Sequence, residues 1–273
     1  MMRYSKEFIG ESLGTFLLVL FGCGSLAVSI LFDAYHGIMQ IAMAWGLGVT
    51  LAIYLTRHLS CAHLNPAVTI AMVLGKRMLL KKLPVYLIAQ FAGALLGGLA
   101  VYLLFAPTIA SYESLHHIIR GTAESVQTGR MFGEYYSVTG GVAVVSMPLA
   151  IGVETFGTFI LLLMIFALTE GCNVGRPDDA IAPLFIGLTV SSVICLIGPL
   201  TQAGLNPARD FGPRVIAWIA GWGGASFPDQ TGGFFFVYML GPVIGGMLAS
   251  LFFVYLIEPA MKQTSGKCNC GDK

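Results

Sequence analysis

Two tripeptides, Asn65-Pro66-Ala67 and Asn206-Pro207-Ala208, stand in apolar surroundings, one in each half of the chain. Each has the chemistry of a helix start. The Asn side chain caps the first free amides, and Pro suits the first helical position because its missing N–H would go unpaired there anyway. A single such tripeptide is an ordinary cap; two at matching places suggest paired half-helices that meet inside a bilayer. Non-helical backbone at membrane depth must then be buried or line a water-filled cavity. The runs Cys61-Ala62-His63-Leu64 and Gln202-Ala203-Gly204-Leu205 are expected to be such backbone, their carbonyls forming a ladder of acceptors along one wall. Capping leaves the NH₂ groups of Asn65 and Asn206 as donors facing the lumen. Two helix N-termini add a positive potential, each worth about half a unit charge. A neutral hydroxyl-bearing molecule meets acceptors and donors in sequence there. A cation is repelled, and a chain of waters has its hydrogen-bond polarity interrupted.

Other residues in these stretches could carry chemistry. Arg209 is a charge close behind a membrane-depth Asn, a costly placement that is functional by default. His63 reads as a hydrogen-bonded wall residue rather than a titrating gate, and His116 and His117 as solvated loop residues. Cys61 and Cys195 fall near the same path and read as small apolar filler; one that faced the lumen would make flow sensitive to mercurials. Cys268-Asn269-Cys270 reads as part of a reduced tail rather than a metal site. No metal-ligand spacing and no nucleophile–base pair occurs at membrane depth, so no metal, no cofactor and no enzyme chemistry are expected.

The elements that must hold these residues are apolar helices. Hydrophobic residues make up 56% of the chain and charged residues 11%, with mean hydropathy +0.80, whereas a soluble domain carries roughly 25% charged residues. The net charge of +1 provides no basic face or stripe for nucleic acid. A bilayer core needs about 20 apolar residues per helix, and six stretches qualify: roughly 7–31, 38–56, 83–106, 146–169, 180–200 and 234–258. Two more, 66–75 and 207–220, reach only part-way through at ~1.5 Å per residue. The N-terminus has Arg3 and Lys6 before a long apolar run and lacks a small-residue cleavage site, so it reads as a retained span rather than a signal peptide. Basic residues orient the chain. With both termini cytoplasmic, the inner side collects Arg3, Lys6, Arg57, Lys76, Arg77, Lys81, Lys82, Arg176, Lys262, Lys267 and Lys273, leaving Arg120, Arg130, Arg209 and Arg214 opposite.

The halves repeat. Glu11-Ser12-Leu13-Gly14-Thr15-Phe16 aligns with Glu154-Thr155-Phe156-Gly157-Thr158-Phe159, and Gly46-Leu47-Gly48-Val49-Thr50 with Gly187-Leu188-Thr189-Val190-Ser191. Three spans per half invert the second copy relative to the first. The expected fold is therefore an all-α membrane protein with six transmembrane helices and two re-entrant half-helices in an inverted 3+3 repeat. It forms one channel domain over 1–273, with repeat 1 at about 7–106, an external connection at 107–145, repeat 2 at about 146–258 and a cytoplasmic tail at 259–273. The sets Gly93, Gly97, Gly98 and Gly241, Gly245, Gly246 read as close helix contacts.

On these motifs the chain resembles the aquaporin superfamily (major intrinsic proteins), and most of all the bacterial glycerol facilitators, or aquaglyceroporins. The similarity runs from Glu11 to about Tyr255. It rests on Trp45-Gly46-Leu47-Gly48, Ala62-His63-Leu64-Asn65-Pro66-Ala67, Gly198-Pro199-Leu200-Thr201 and Asn206-Pro207-Ala208-Arg209-Asp210-Phe211-Gly212-Pro213-Arg214, with support from His116-His117-Ile118-Ile119-Arg120-Gly121. The resemblance implies an aquaporin-like fold, a homotetramer with one pore per subunit, and a place in a bacterial inner membrane. Asp210 marks the glycerol type, because water-selective relatives usually carry a small residue there. Glu11 and Glu154, otherwise readable as ion-coupling acids, are implied to accept hydrogen bonds from the unwound loops; a buried carboxylate is tolerated when its lone pairs are satisfied.

The family also implies a narrow filter outward of the Asn pair, carried onto Trp45, Ile194, Ala203 and Arg209. Trp45 offers a flat apolar face, and Arg209 donates from a fixed fork to passing hydroxyls. Glycerol facilitators usually have Gly where Ile194 stands and an aromatic where Ala203 stands. The set Trp-Ile-Ala-Arg resembles instead the filter of plant nodulin-like intrinsic proteins, which carry glycerol and other small uncharged solutes. Tyr238-Met239 also departs from the Pro-Leu of a facilitator. The implied activity is passive passage of glycerol and other small uncharged solutes, with some water, and exclusion of ions and protons. The alternatives are a channel favouring urea, ammonia, neutral weak acids or metalloid hydroxides, and a coupled secondary transporter, which inverted repeats and broken helices also suit.

Overall fold

In the computed structural model, which describes residues 5–136, 145–227 and 233–264, every regular element among the described residues is helical. In chain order these are α1 (Ser5–Phe32), α2 (Ile38–Thr56), α3 (Pro66–Leu74), α4 (Leu83–Leu115), the single turn α5 (Val126–Gly129), α6 (Met147–Thr169), α7 (Ala182–Thr201), α8 (Pro207–Ala217), α9 (Gly241–Phe252) and α10 (Glu258–Thr264). Six spans are long and apolar enough to cross a membrane: Lys6–Phe32, Ile38–Thr56, Leu80–Leu115, Met147–Thr169, Ala182–Thr201 and Phe235–Gln263. The sixth joins α9 and α10 through π-helical turns at Phe235–Leu240 and Phe253–Ile257. Helices α3 and α8 have only 9 and 11 residues, so each covers about half of a ~30 Å hydrocarbon core. The plan of six spans and two half-helices expected from the sequence is the one observed.

Packing follows the repeat. α1 lies on α4 as α6 lies on α9, and α2 on α7 joins the halves. A Cβ at Gly93 would sit 2.2 Å from the Ser12 carbonyl oxygen, and one at Gly245 would sit 2.2 Å from that of Thr155. The same backbone approach therefore recurs in both repeats. Where α2 crosses α7, a Cβ on Gly46 or Gly187 would come within 2.4 or 2.3 Å of the other glycine's carbonyl oxygen. In lipid, apolar side chains gain little by leaving hydrocarbon, so helices associate through close van der Waals contact at small residues. Leu103, Leu104 and Leu196 stay largely exposed on the outer faces, as lipid-facing residues should.

The connection between the halves differs from the expected one. α4 does not stop near 106; it continues through Pro107 to Leu115. Tertiary anchoring outweighs the break that Pro favours. Ile109 is fully buried, and buried Glu113 accepts from Arg120 Nε and Thr128 Oγ1, both at 2.8 Å. The following chain folds back inward, burying Met131, Phe132, Glu134 and Tyr135. The second short helix regularly ends at Ala217, before a kinked turn in which Gly221 has φ 107°. Arg3, Lys267, Lys273, the Cys268-Asn269-Cys270 tail and residues 137–144 of the 107–145 connection lie outside the described residues.

Candidate functional site

The site is built where α3 and α8 begin. Asn65 Oδ1 accepts from the Ala67 amide at 2.8 Å, and Asn206 Oδ1 from the amides of Ala208 and Arg209 at 3.1 and 3.3 Å. Pro66 and Pro207 occupy the first helical turn in each case. The capping amides then cross over. Asn65 Nδ2 donates to the Leu205 carbonyl at 2.9 Å, and Asn206 Nδ2 donates to the Leu64 carbonyl at 2.8 Å. Each motif thus ties itself to the loop that precedes the other, and the two N-termini face one another.

The loops before the motifs are unwound and held from behind. Ala62 and Leu64 in the first, and Gln202, Ala203 and Leu205 in the second, have φ between 49° and 66°. These left-handed residues are strained for any side chain and persist because buried carboxylates hold the neighbouring amides. Glu11 Oε1 accepts from Ser60 Oγ at 2.7 Å and the His63 amide at 3.0 Å; its Oε2 accepts from the Leu64 amide at 2.7 Å and Gln90 Nε2 at 2.8 Å. Glu154 repeats the pattern with Thr201 Oγ1 at 2.6 Å and the amides of Gly204 and Leu205 at 2.9 and 2.8 Å. Both carboxylates are fully buried, and these bonds offset their desolvation.

A cavity of about 370 Å³ runs along both loops. Cys61, Ala62, His63, Leu64 and Asn65 line it on one side of the crossing, and Ala203, Gly204, Leu205 and Asn206 on the other. Val49, Val68, Val190 and Ile194 contribute apolar wall. The sequence pattern treats all eight loop carbonyls as acceptors of one kind; the structure divides them. Those of Leu64 and Leu205 receive the crossed Asn amides, and that of Gly204 accepts from the Asn206 amide at 2.7 Å. Gln202 is not among the lining residues, and its side-chain Oε1 accepts from the Tyr135 amide at 2.8 Å. Cys61 lines the cavity, whereas Cys195 does not, its sulfur lying 3.8 Å from Met39 Sδ. His63 Nδ1 is 3.3 Å from Thr69 Oγ1, and its ring lies 5.0 Å from that of Tyr86.

Trp45, Ile194, Ala203 and Arg209 are all among the residues that line this cavity. The Arg209 guanidinium carbon lies 3.9 Å from the Trp45 ring centroid, and the Trp45 ring rests on Gly22, where a Cβ would be 2.2 Å away. Arg209 Nη1 forms a buried ion pair with Glu134. The described residues give the other guanidinium donors no hydrogen-bond partner. Behind it, Asp210 accepts from Arg214 Nε and from the Glu134 amide, both at 2.7 Å, while Arg214 reaches the Ser226 carbonyl at 2.7 Å and also that of Glu134. Two arginines and two carboxylates therefore balance in a buried cluster. Asp210, marked at first only as a type signature, holds Arg214 and the loop that carries Glu134. Glu134 was missed because it lies in the connection. Its one sequence signal is charge balance: the second short stretch carries both Arg209 and Arg214, and Asp210 alone leaves one positive charge over.

The other mouth, beside α10, is lined by Arg57, Arg77 and Asp179. Arg57 Nη1 donates to the Asp179 carbonyl at 2.7 Å, and Arg77 bridges Glu170 and Glu258. Burial alone would raise the Glu170 carboxyl, but the Cys172 amide and the Arg77 guanidinium outweigh it and hold it below its ordinary value.

Fold and site together define a helical membrane protein whose two half-helices meet amide-first beside an internal cavity with an apolar wall and a polar strip. A model of the major intrinsic protein family matches residues 1–253, and the chain belongs to that family. It is 42% identical over 253 residues to the propanediol uptake facilitator PduF of Citrobacter freundii, covering 91% of each chain. It is 41% identical over 253 residues to the glycerol uptake facilitator protein of Escherichia coli strain K12, covering 91% of this chain and 87% of that relative. Among solved structures it is similar to the aquaglyceroporin from Plasmodium falciparum, with a TM-score of 0.82 and 29% identity over 95% of this chain and 99% of the other.

Proposed function

We propose that this chain is a passive membrane channel for glycerol and other small uncharged solutes, with no enzymatic step. The observation that carries this reading is the crossed Asn65–Leu205 and Asn206–Leu64 contact beside the cavity, in a chain related to glycerol and propanediol facilitators. Trp45 and Ile194 give a permeant's carbon side an apolar wall, while the unpartnered donors of Arg209 face its hydroxyls. The carbonyls of Cys61, Ala62, His63 and Ala203 complete the polar side. The Arg209 charge and the two helix N-termini oppose cations, and the crossed amides interrupt proton transfer along water. The halves act as one domain, because neither half-helix is covered without the other repeat. The end beside α10 faces the cytoplasm of a bacterial inner membrane, as the basic loops favour. Four copies assemble as a homotetramer with one pore each.

The test is stopped-flow light scattering of proteoliposomes with glycerol, urea, water and a neutral weak acid, each with and without an ion gradient. Glycerol equilibration well above that of empty vesicles and independent of the gradient is expected. Uptake that disappears without the gradient would assign a coupled transporter instead.

A further inference from the structure

Behind each half-loop stands a tyrosine on the third span of its repeat. Tyr86 and Tyr238 lie at the same offset before Gly93 and Gly245, the two glycines that make the repeated contact with Ser12 and Thr155. Both tyrosines are buried. Each hydroxyl binds the corresponding peptide group, but at its opposite end. Tyr86 Oη accepts from the Cys61 amide at 3.1 Å, whereas Tyr238 Oη donates to the Thr201 carbonyl at 2.9 Å. The rings also meet their loops differently. The His63 imidazole, tilted on the Tyr86 ring, intervenes in the first repeat. Gly204 replaces it in the second, where a Cβ would lie 2.6 Å from Tyr238 Cδ1, so the ring presses directly on loop backbone. The π-helical turn that presents Tyr238 has no equivalent in α4, and such turns recur at functional sites.

We propose that Tyr86 and Tyr238 are repeat-related positioning residues, and that Tyr238 sets the size cut-off by fixing how far Ala203 and its neighbours reach into the cavity. Only the second half-loop carries a constriction residue, and only there does the tyrosine bear on backbone without an intervening side chain. The inference rests on the channel reading above and names what controls its selectivity. Tyr86 holds its own loop by one hydrogen bond, and that loop does not contain Ala203.

The experiment compares Tyr238→Phe with Tyr86→Phe in proteoliposomes, reading the ratio of xylitol to glycerol permeability. Each variant keeps its ring and loses one hydroxyl, and the ratio does not depend on how much protein inserts. Tyr238→Phe is expected to raise the ratio about three- to fivefold, the factor matching the net worth of one neutral hydrogen bond. Tyr86→Phe is expected to leave it at the wild-type value. An unchanged ratio in Tyr238→Phe, or an equal rise in both variants, overturns the assignment. Wild-type protein without glycerol flux would overturn the channel reading itself and this inference with it.

Discussion

The two half-loops share a plan and differ in what they carry. Glu11 collects donors from Ser60, His63, Leu64 and Gln90, whereas Glu154 collects them from Thr201, Gly204 and Leu205 only. The position on the sixth span that matches Gln90 is Pro242, which has no side-chain donor. In exchange, the second half-helix bears Arg209, Asp210 and Arg214, bound by Glu134 from the connection. The first loop is thus the more tightly held scaffold, and the second holds the groups that discriminate. A duplicated element has kept its geometry in both copies while its chemistry has been concentrated in one.

Removing a carboxylate should hurt most, and the first loop should suffer more. Glu11→Ala leaves buried backbone amides unpaired at a cost of about 3–5 kcal/mol. Glu154→Ala should cost less, and thermal unfolding in detergent should rank the two in that order; the reverse ranking breaks the comparison. Arg209→Ala removes the cation that lines the cavity and leaves the Glu134 carboxyl buried without its ion-pair partner. Proton or cation leak, followed with a pH-sensitive dye, should rise about tenfold, equivalent to ~1.4 kcal/mol. A variant as tight as wild type would move exclusion to the crossed Asn pair. Ala203→Phe should slow xylitol relative to glycerol about fivefold. Its repeat counterpart Ala62→Phe should lower both fluxes without changing their ratio, and equal ratio shifts would erase the functional asymmetry.

The smallest effect is expected at the mouth beside α10. A carboxyl held below its ordinary value contributes stability that is present above that value and lost as pH falls through the folded one. The Arg77–Glu170 pair should therefore persist from neutral pH down to the ordinary carboxylate value of 4.5 and weaken only below it. Because Arg77 is partly exposed, Glu170→Gln should cost under about 1 kcal/mol. Glycerol flux that changed between pH 5 and 8 and lost that change in Glu170→Gln would contradict this.

The half-helices were legible in the sequence because Asn-Pro-Ala combines a cap with a helix-starting Pro, and repetition made the pair visible. Glu11 and Glu154 were legible for the same reason, as charges inside aligned apolar spans. The crossing of the Asn amides was not, since local capping chemistry says nothing of which carbonyl the free NH₂ meets. Glu134 escaped because its partner is remote in the chain and its neighbours read as an ordinary connection. α4 outran its expected end because burial of Ile109 and Glu113 overrode the signal of Pro107, and no local pattern announces such tertiary anchoring.

The account turns on two helix starts meeting amide-first beside a continuous solute path. An electron cryo-microscopy map of the protein in a lipid nanodisc with glycerol present tests this most directly. The predicted map keeps Asn65 Nδ2 and Asn206 Nδ2 within hydrogen-bond reach of the Leu205 and Leu64 carbonyls, with solute density running past them from Arg77 to Arg209. A map in which those groups lie apart, or in which packed side chains close the path between the loops, would contradict it.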